Sequence, residues 1–189
     1  MIRGIIFDCF GVLYGSSAEV SRAFCPIERQ RDFDDLTKQA DYGYITGEEY
    51  LQQLAELIGR PRDELFELFR TRHVRNVPLA EYLQTLTSKY RVGLLSNVSS
   101  GTMEQLITIE EQKQWFDQVV LSSDVHLAKP DPNIFSLAAE RLGLLPEECV
   151  MIDDRAENCE GARRAGMQAI WFASNDQAIA ELERLLARN

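Results

Sequence analysis

Four short stretches of this chain place reactive side chains directly after apolar runs. Asp8 follows Ile5, Ile6 and Phe7, and Ser96 closes the run RVGLLS. Lys129 stands in the loop beyond DQVVLS, and the pair Asp153–Asp154 ends CVMIDD. A carboxylate at the end of a buried run costs free energy unless something pairs with it. Three carboxylates sharing one lysine repel one another, so a hard cation with oxygen ligands is expected among them. A metal, a phosphate site or a reaction is the chemistry such a grouping supports. Singly, each residue has a plainer reading. A serine after a strand caps a helix, a lysine before proline is a solvated loop residue, and an acidic pair before a helix balances its dipole.

The elements that must position these residues alternate. Strands are predicted over residues 3–8, 91–96, 117–122, 149–153 and 167–172. Their apolar runs lack the polar/apolar alternation of a half-exposed sheet, which suits strands buried on both faces of a parallel sheet. Between them lie helices. Asp131 and Pro132 read as cap and first residue of a helix through Arg141, with Gly143 as its stop. A second runs from Arg155 to Ala165 and closes at Gly166; a third is capped by Asn175 and carries Ile179, Leu182, Leu185 and Leu186 on one face. The pattern predicts a three-layer α/β core with an open parallel sheet and functional groups at the strands' carboxyl ends.

Residues 16–75 break this alternation with helical stretches and no strand. Thr46 and Glu49 form a capping box ahead of Tyr50, Leu51, Leu54 and Leu57, and Gly59 and Pro61 separate that helix from one bearing Leu65, Phe66, Leu68 and Phe69. The expected division is a core of residues 1–14 and 77–189 and an inserted helical cap of residues 15–76, placed above the carboxyl end of the first strand.

The net charge of −10 argues against nucleic acid and anionic membranes as partners. The longest apolar runs are about six residues, against roughly 20 for a membrane span. Asp8 interrupts the first apolar stretch, so no signal peptide is expected. Cys9, Cys25, Cys149 and Cys159 show no metal-binding spacing and read as reduced buried thiols, in keeping with a cytoplasmic monomer or homodimer.

Together, FDCFGVLY, LLSNVSS, KPDPNIF and VMIDDRAENCEGARRAGM resemble the four motifs of the haloacid dehalogenase-like hydrolase superfamily, phosphatase-like branch. DYGYITGEEY, residues 41–50, resembles the helical cap found after the first motif. The resemblance implies that Asp8 is a nucleophile forming an aspartyl-phosphate, with Lys129 holding nucleophile and phosphate together. It implies that Ser96 and Asn97 bind phosphoryl oxygens, and that backbone N–H groups near Cys9 and Phe10 cradle the transferring group. It implies Mg²⁺ held by Asp8, the main-chain carbonyl of Phe10, Asp153 and Asp154, with Asn158 orienting an acidic ligand or capping locally.

One position departs from that pattern. Phosphatases of the superfamily carry a second Asp two residues after the nucleophile as general acid and base, and Phe10 stands there. Such a group contributes about 10²–10⁴ in rate. Three readings follow: a phosphatase of a small phosphorylated metabolite, such as a sugar phosphate with a good leaving group; a binding or regulatory protein without turnover; and a haloacid dehalogenase, a subgroup that carries Tyr at this place and needs no metal. Retention of Asp153–Asp154 favours the first over the third. His126 and His73 are candidates to replace the missing acid, or else solvated histidines. Arg60, Arg62, Arg70, Arg72 and Arg75 either attract an anionic substrate or pair with Asp63, Glu64 and Glu67. Tyr14, Tyr42 and Tyr44 either line the pocket or pack the cap on the core.

Overall fold

Ile5 and Phe7 point into one hydrophobic core and Ile6 into another, which is why this run has no polar alternation. The computed structural model describes residues 1–188. Strands β1 (Gly4–Phe7), β2 (Arg91–Ser96), β3 (Gln118–Leu121), β4 (Cys149–Asp153) and β5 (Gln168–Trp171) form one parallel sheet in the order β3-β2-β1-β4-β5. The chain runs outward from β1 in one direction through β2 and β3, and in the other through β4 and β5. This reversal beside β1 opens a crevice at the strands' carboxyl ends.

Helices α1 (Ala18–Phe24), α2 (Gln30–Asp41), α3 (Gly47–Ile58) and α4 (Arg62–Arg72) lie between β1 and β2. They are followed, still before β2, by α5 (Val77–Leu86); beyond β2 come α6 (Ile109–Trp115), the short α7 (Ser122–Val125), α8 (Pro132–Arg141), α9 (Ala156–Arg164) and α10 (Asn175–Leu186). Leu79 and Leu83 of α5 and Ala178 and Leu182 of α10 pack on the sheet face bearing Phe7, Leu94 and Ile152. Ile134, Phe135 and Ala139 of α8 and Ala162 of α9 cover the other face, against Ile6, Leu95 and Met151. Truncating a side chain as enclosed as Phe7 costs about 3–5 kcal/mol.

The inserted helices close on a third core of their own, built from Phe33, Leu36, Leu51, Leu54, Leu57 and Leu65. The Thr46–Glu49 capping box forms as expected: Glu49 N donates to Thr46 Oγ1 (3.2 Å) and Thr46 N to Glu49 Oε2 (2.8 Å). The outgoing and returning segments of the insertion run side by side. Gly15 N donates to Val74 O (2.9 Å), and Asn76 N to Leu13 O (2.8 Å).

One boundary differs from expectation. Ser174, not Asn175, caps α10, with its Oγ accepting from Gln177 N (3.3 Å). Asn175 instead pairs amide to amide with Asn76 (2.8 and 2.9 Å), tying the start of α10 to the start of α5. All four cysteines are free and buried. Among the described residues no helix is long and apolar enough to cross a membrane.

Candidate active site

Asp8 lies one residue beyond β1 and Asp153 ends the neighbouring β4, so parallel pairing brings their carboxylates to one place. Both are buried, and so is Lys129. The lysine ammonium bridges them, at 2.8 Å from Asp8 Oδ1 and 2.7 Å from Asp153 Oδ2, and gives a third bond to Leu95 O (3.2 Å). Its three protons are thereby engaged.

Asp153 is fully satisfied. Besides Lys129, it accepts from Arg155 N (2.9 Å) and from the Asn158 side chain (2.9 and 3.1 Å). Asn158 therefore orients an acidic residue. Burial raises the Asp153 pKa, but Lys129 and these donors outweigh it and hold the group below the usual carboxylate range. Asp8 has no such set. Burial pushes it above the usual range, Lys129 opposes, and Asp153 adds to the rise. Burial and Asp153 likewise raise Asp154.

Asp154 completes the cluster. Oxygens of Asp8, Asp153 and Asp154 lie within 4.8 Å of one another. Asp154 Oδ1 is buried and has no hydrogen-bond partner among the described residues. Gly11 makes room for it: a Cβ there would come to 2.0 Å from Asp154 Oδ2, and its φ of +85° is one that side-chain-bearing residues rarely adopt. Among the described residues no donor reaches the Phe10 carbonyl. An orphaned carboxylate oxygen within a hard-oxygen set fits a magnesium ion. Asp8, Asp154 and the Phe10 carbonyl have free oxygens to offer, with Asp153 held beside them.

The other expected residues fall in different layers. Asn97 lines the cavity above the cluster, but its side chain grips the main chain of Lys129, donating to its O (2.9 Å) and accepting from its N (2.8 Å). Ser96 is fully buried, and among the described residues its Oγ makes only a long contact with Asn97 O (3.5 Å). Cys9 N turns back on Asp8 Oδ1 (2.6 Å). His126 is not on the cavity wall; its Nδ1 lies 2.7 Å from Tyr42 O at the edge of the insertion. His73 is on the wall, its ring 4.7 Å from that of Phe10 and its Nε2 3.0 Å from Ser17 Oγ. Burial lowers its pKa, so it is neutral near pH 7.

Arg62 and Arg70 line the cavity and are ion-paired with Glu48 (3.0 Å) and Glu67 (2.7 Å). Arg60 pairs with Glu64, and Arg75 with Glu111 (2.9 Å). Tyr14 faces the cavity and is fixed by Leu106 O (2.9 Å) and Arg75 Nε (2.8 Å), whereas Tyr44 is exposed. Asp41, at the end of α2, also lines the cavity; it opens the stretch 41–50 that resembles the family's cap, but the sequence assigned it no role of its own.

A family model for haloacid dehalogenase-like hydrolases matches residues 2–166. The chain belongs to this family. A magnesium and inorganic phosphate complex of a family enzyme from Bacteroides thetaiotaomicron superposes with a TM-score of 0.74 at 25% identity, covering 90% of this chain and 93% of that one. An (S)-2-haloacid dehalogenase of Pseudomonas fluorescens is 26% identical over 96% of this chain and 89% of its own length. A glyceraldehyde 3-phosphate phosphatase of Methanopyrus kandleri is 29% identical over 90% of this chain and 83% of its own. Membership explains why the four motifs converge on one crevice. It leaves both phosphorus and carbon chemistry among the relatives.

Proposed function

We propose that this chain is a magnesium-dependent phosphatase of a small phosphorylated metabolite, with a sugar phosphate the best fit. The carrying observation is the three-carboxylate cluster with its unpartnered Asp154 oxygen, placed beside Asp8. Displacing halide at carbon requires no cation there.

The cavity supports the same reading. Its volume of about 1010 Å³ lies at the upper end of ligand pockets, roughly 300–1,000 Å³, and exceeds the needs of a two- or three-carbon acid. Phe10, Tyr14, Phe66 and Phe69 offer ring faces, and Thr46, Ser99, Ser100 and Thr102 offer hydroxyls. That mixture suits a hydroxylated ring.

In this mechanism Asp8 attacks phosphorus and carries the phosphoryl group as an acyl phosphate, which water then hydrolyses. Lys129 holds Asp8 in place and offsets charge gathered on the phosphoryl oxygens. A bound magnesium ion would neutralise the phosphate and draw it toward Asp8. Ser96 and Asn97 fix the floor beneath it. Residues 15–76 act as a cap that shields the acyl phosphate and selects the substrate.

The test is phosphate release from a panel of phosphorylated metabolites, with magnesium or with EDTA, in wild type and Asp8→Asn. Metal-dependent release abolished in Asp8→Asn is expected. Halide release from a 2-haloacid in EDTA, or no release from the panel, would overturn the reading.

A further inference from the structure

Phe10 leaves the leaving-group oxygen without its usual proton donor; on the cavity wall Glu48 is paired with Arg62 (3.0 Å), which leaves His73 and Asp41 to serve. His73 is packed between the rings of Phe10 and Phe69, with Nε2 turned to Ser17. Asp41 stands otherwise. It is the last residue of α2, where the helix dipole disfavours a carboxylate. Among the described residues its side chain has no hydrogen bond and no ion pair, although it faces the same cavity as Asp8, Lys129 and Arg155. A half-buried, unpaired carboxylate at the wrong end of a helix, sharing a cavity with three others, is a net cost to folding.

Resting on the phosphatase reading above, we infer that Asp41 is the general acid and base of the reaction, supplied by the cap in place of the side chain that Phe10 lacks. As Asp8 Oδ bonds to phosphorus, the bond from phosphorus to the ester oxygen breaks and its electron pair stays on that oxygen. The proton of Asp41 moves to it, giving a neutral alcohol. In the second half, the Asp41 carboxylate takes a proton from water as the water oxygen bonds to phosphorus. Asp8 then leaves as a carboxylate. Burial supports this assignment by raising the Asp41 pKa to about 6, against the pull of Lys129 and Arg155. A donor on the cap also ties chemistry to closure, since the acid arrives only with the insertion seated.

The experiment compares two substrates in the magnesium-loaded enzyme: an alkyl phosphate found by the panel, and p-nitrophenyl phosphate, whose leaving group needs no protonation. Asp41→Asn is expected to lower kcat on the alkyl ester by about 10²–10⁴-fold and on the aryl ester by less than about threefold. Adding Phe10→Asp to Asp41→Asn restores alkyl turnover at least about tenfold. The Tm of Asp41→Asn stays level or rises, because an unpaired charge is removed. Equal losses on both esters, no loss on either, a fall in Tm, or the leaving-group pattern in His73→Gln instead would each overturn the assignment. Wild-type turnover abolished in Asp8→Asn but indifferent to Asp41→Asn would sink this inference while leaving the phosphatase intact. Absence of Asp8-dependent turnover would end both.

Discussion

The side chain of Asn97 holds the main chain of Lys129 from both sides, at 2.9 Å through its amide nitrogen and 2.8 Å through its oxygen. A residue after β2 thereby sets the position of a lysine 32 residues later, whose ammonium reaches Asp8 and Asp153. Asn97→Ala is expected to lower kcat by about 10–10²-fold, since small misplacements of a reacting group cost that much. KM should move far less. Steady-state kinetics on the phosphate ester would separate the two; a change in KM alone would assign Asn97 to ground-state binding.

Gly11→Ala should strike metal affinity. The new methyl would collide with Asp154, and the positive φ adds about 1–3 kcal/mol of strain. Isothermal titration with Mg²⁺ should show affinity reduced by at least about tenfold. Unchanged affinity would mean that Asp154 is not a ligand.

The carboxylates give stability a dependence on pH. Asp8, Asp41 and Asp154 have folded pKa values above their unfolded ones, so the fold binds their protons more tightly than the unfolded chain does. Their contribution is fully present below about pH 4 and is lost as pH rises through the raised values. Asp153 is shifted the other way, and its effect lies below the ordinary carboxylate range. In EDTA, Tm should therefore fall between about pH 5 and about pH 8, and Mg²⁺ should raise Tm more at the upper end, where its ligands are ionised. A flat metal-free profile would contradict the charge crowding described above.

The thiols should be silent. Cys9 and Cys25 are pushed upward by burial, as is Cys149, to about 12. Thiolate is the reactive form, so a thiol-specific reagent should label none of the four in the native protein and all four after denaturation. Rapid native labelling of Cys9 would show that the floor beneath Asp8 opens to solvent.

Much of the sheet was legible in the chain because burial on both faces leaves continuous apolar runs such as Ile5–Phe7 and Val150–Ile152. The box from Thr46 to Glu49 is equally local, and its geometry follows from spacing alone. Long-range relations were not legible. Asn97 and Lys129 meet only because β2 and the loop after β3 are brought together. Asp41 looks like any polar residue at a helix end until the insertion folds back on the crevice. Ser174 and Asn175 are both competent caps, and Asn76, far away in sequence, decides between them. His73 and His126 are alike in sequence, and only the seating of the inserted helices shows which one meets Phe10.

The helices between β1 and β2 leave and rejoin the sheet through one narrow doorway, where Gly15 N and Val74 O stand 2.9 Å apart. Closing a loop across a fixed gap depends weakly on its length, at about 0.6 kcal/mol per doubling. Segments of very different size can be grafted at that doorway without shifting the strand register. The size of the insertion and the register of the sheet are thus mechanically independent of one another.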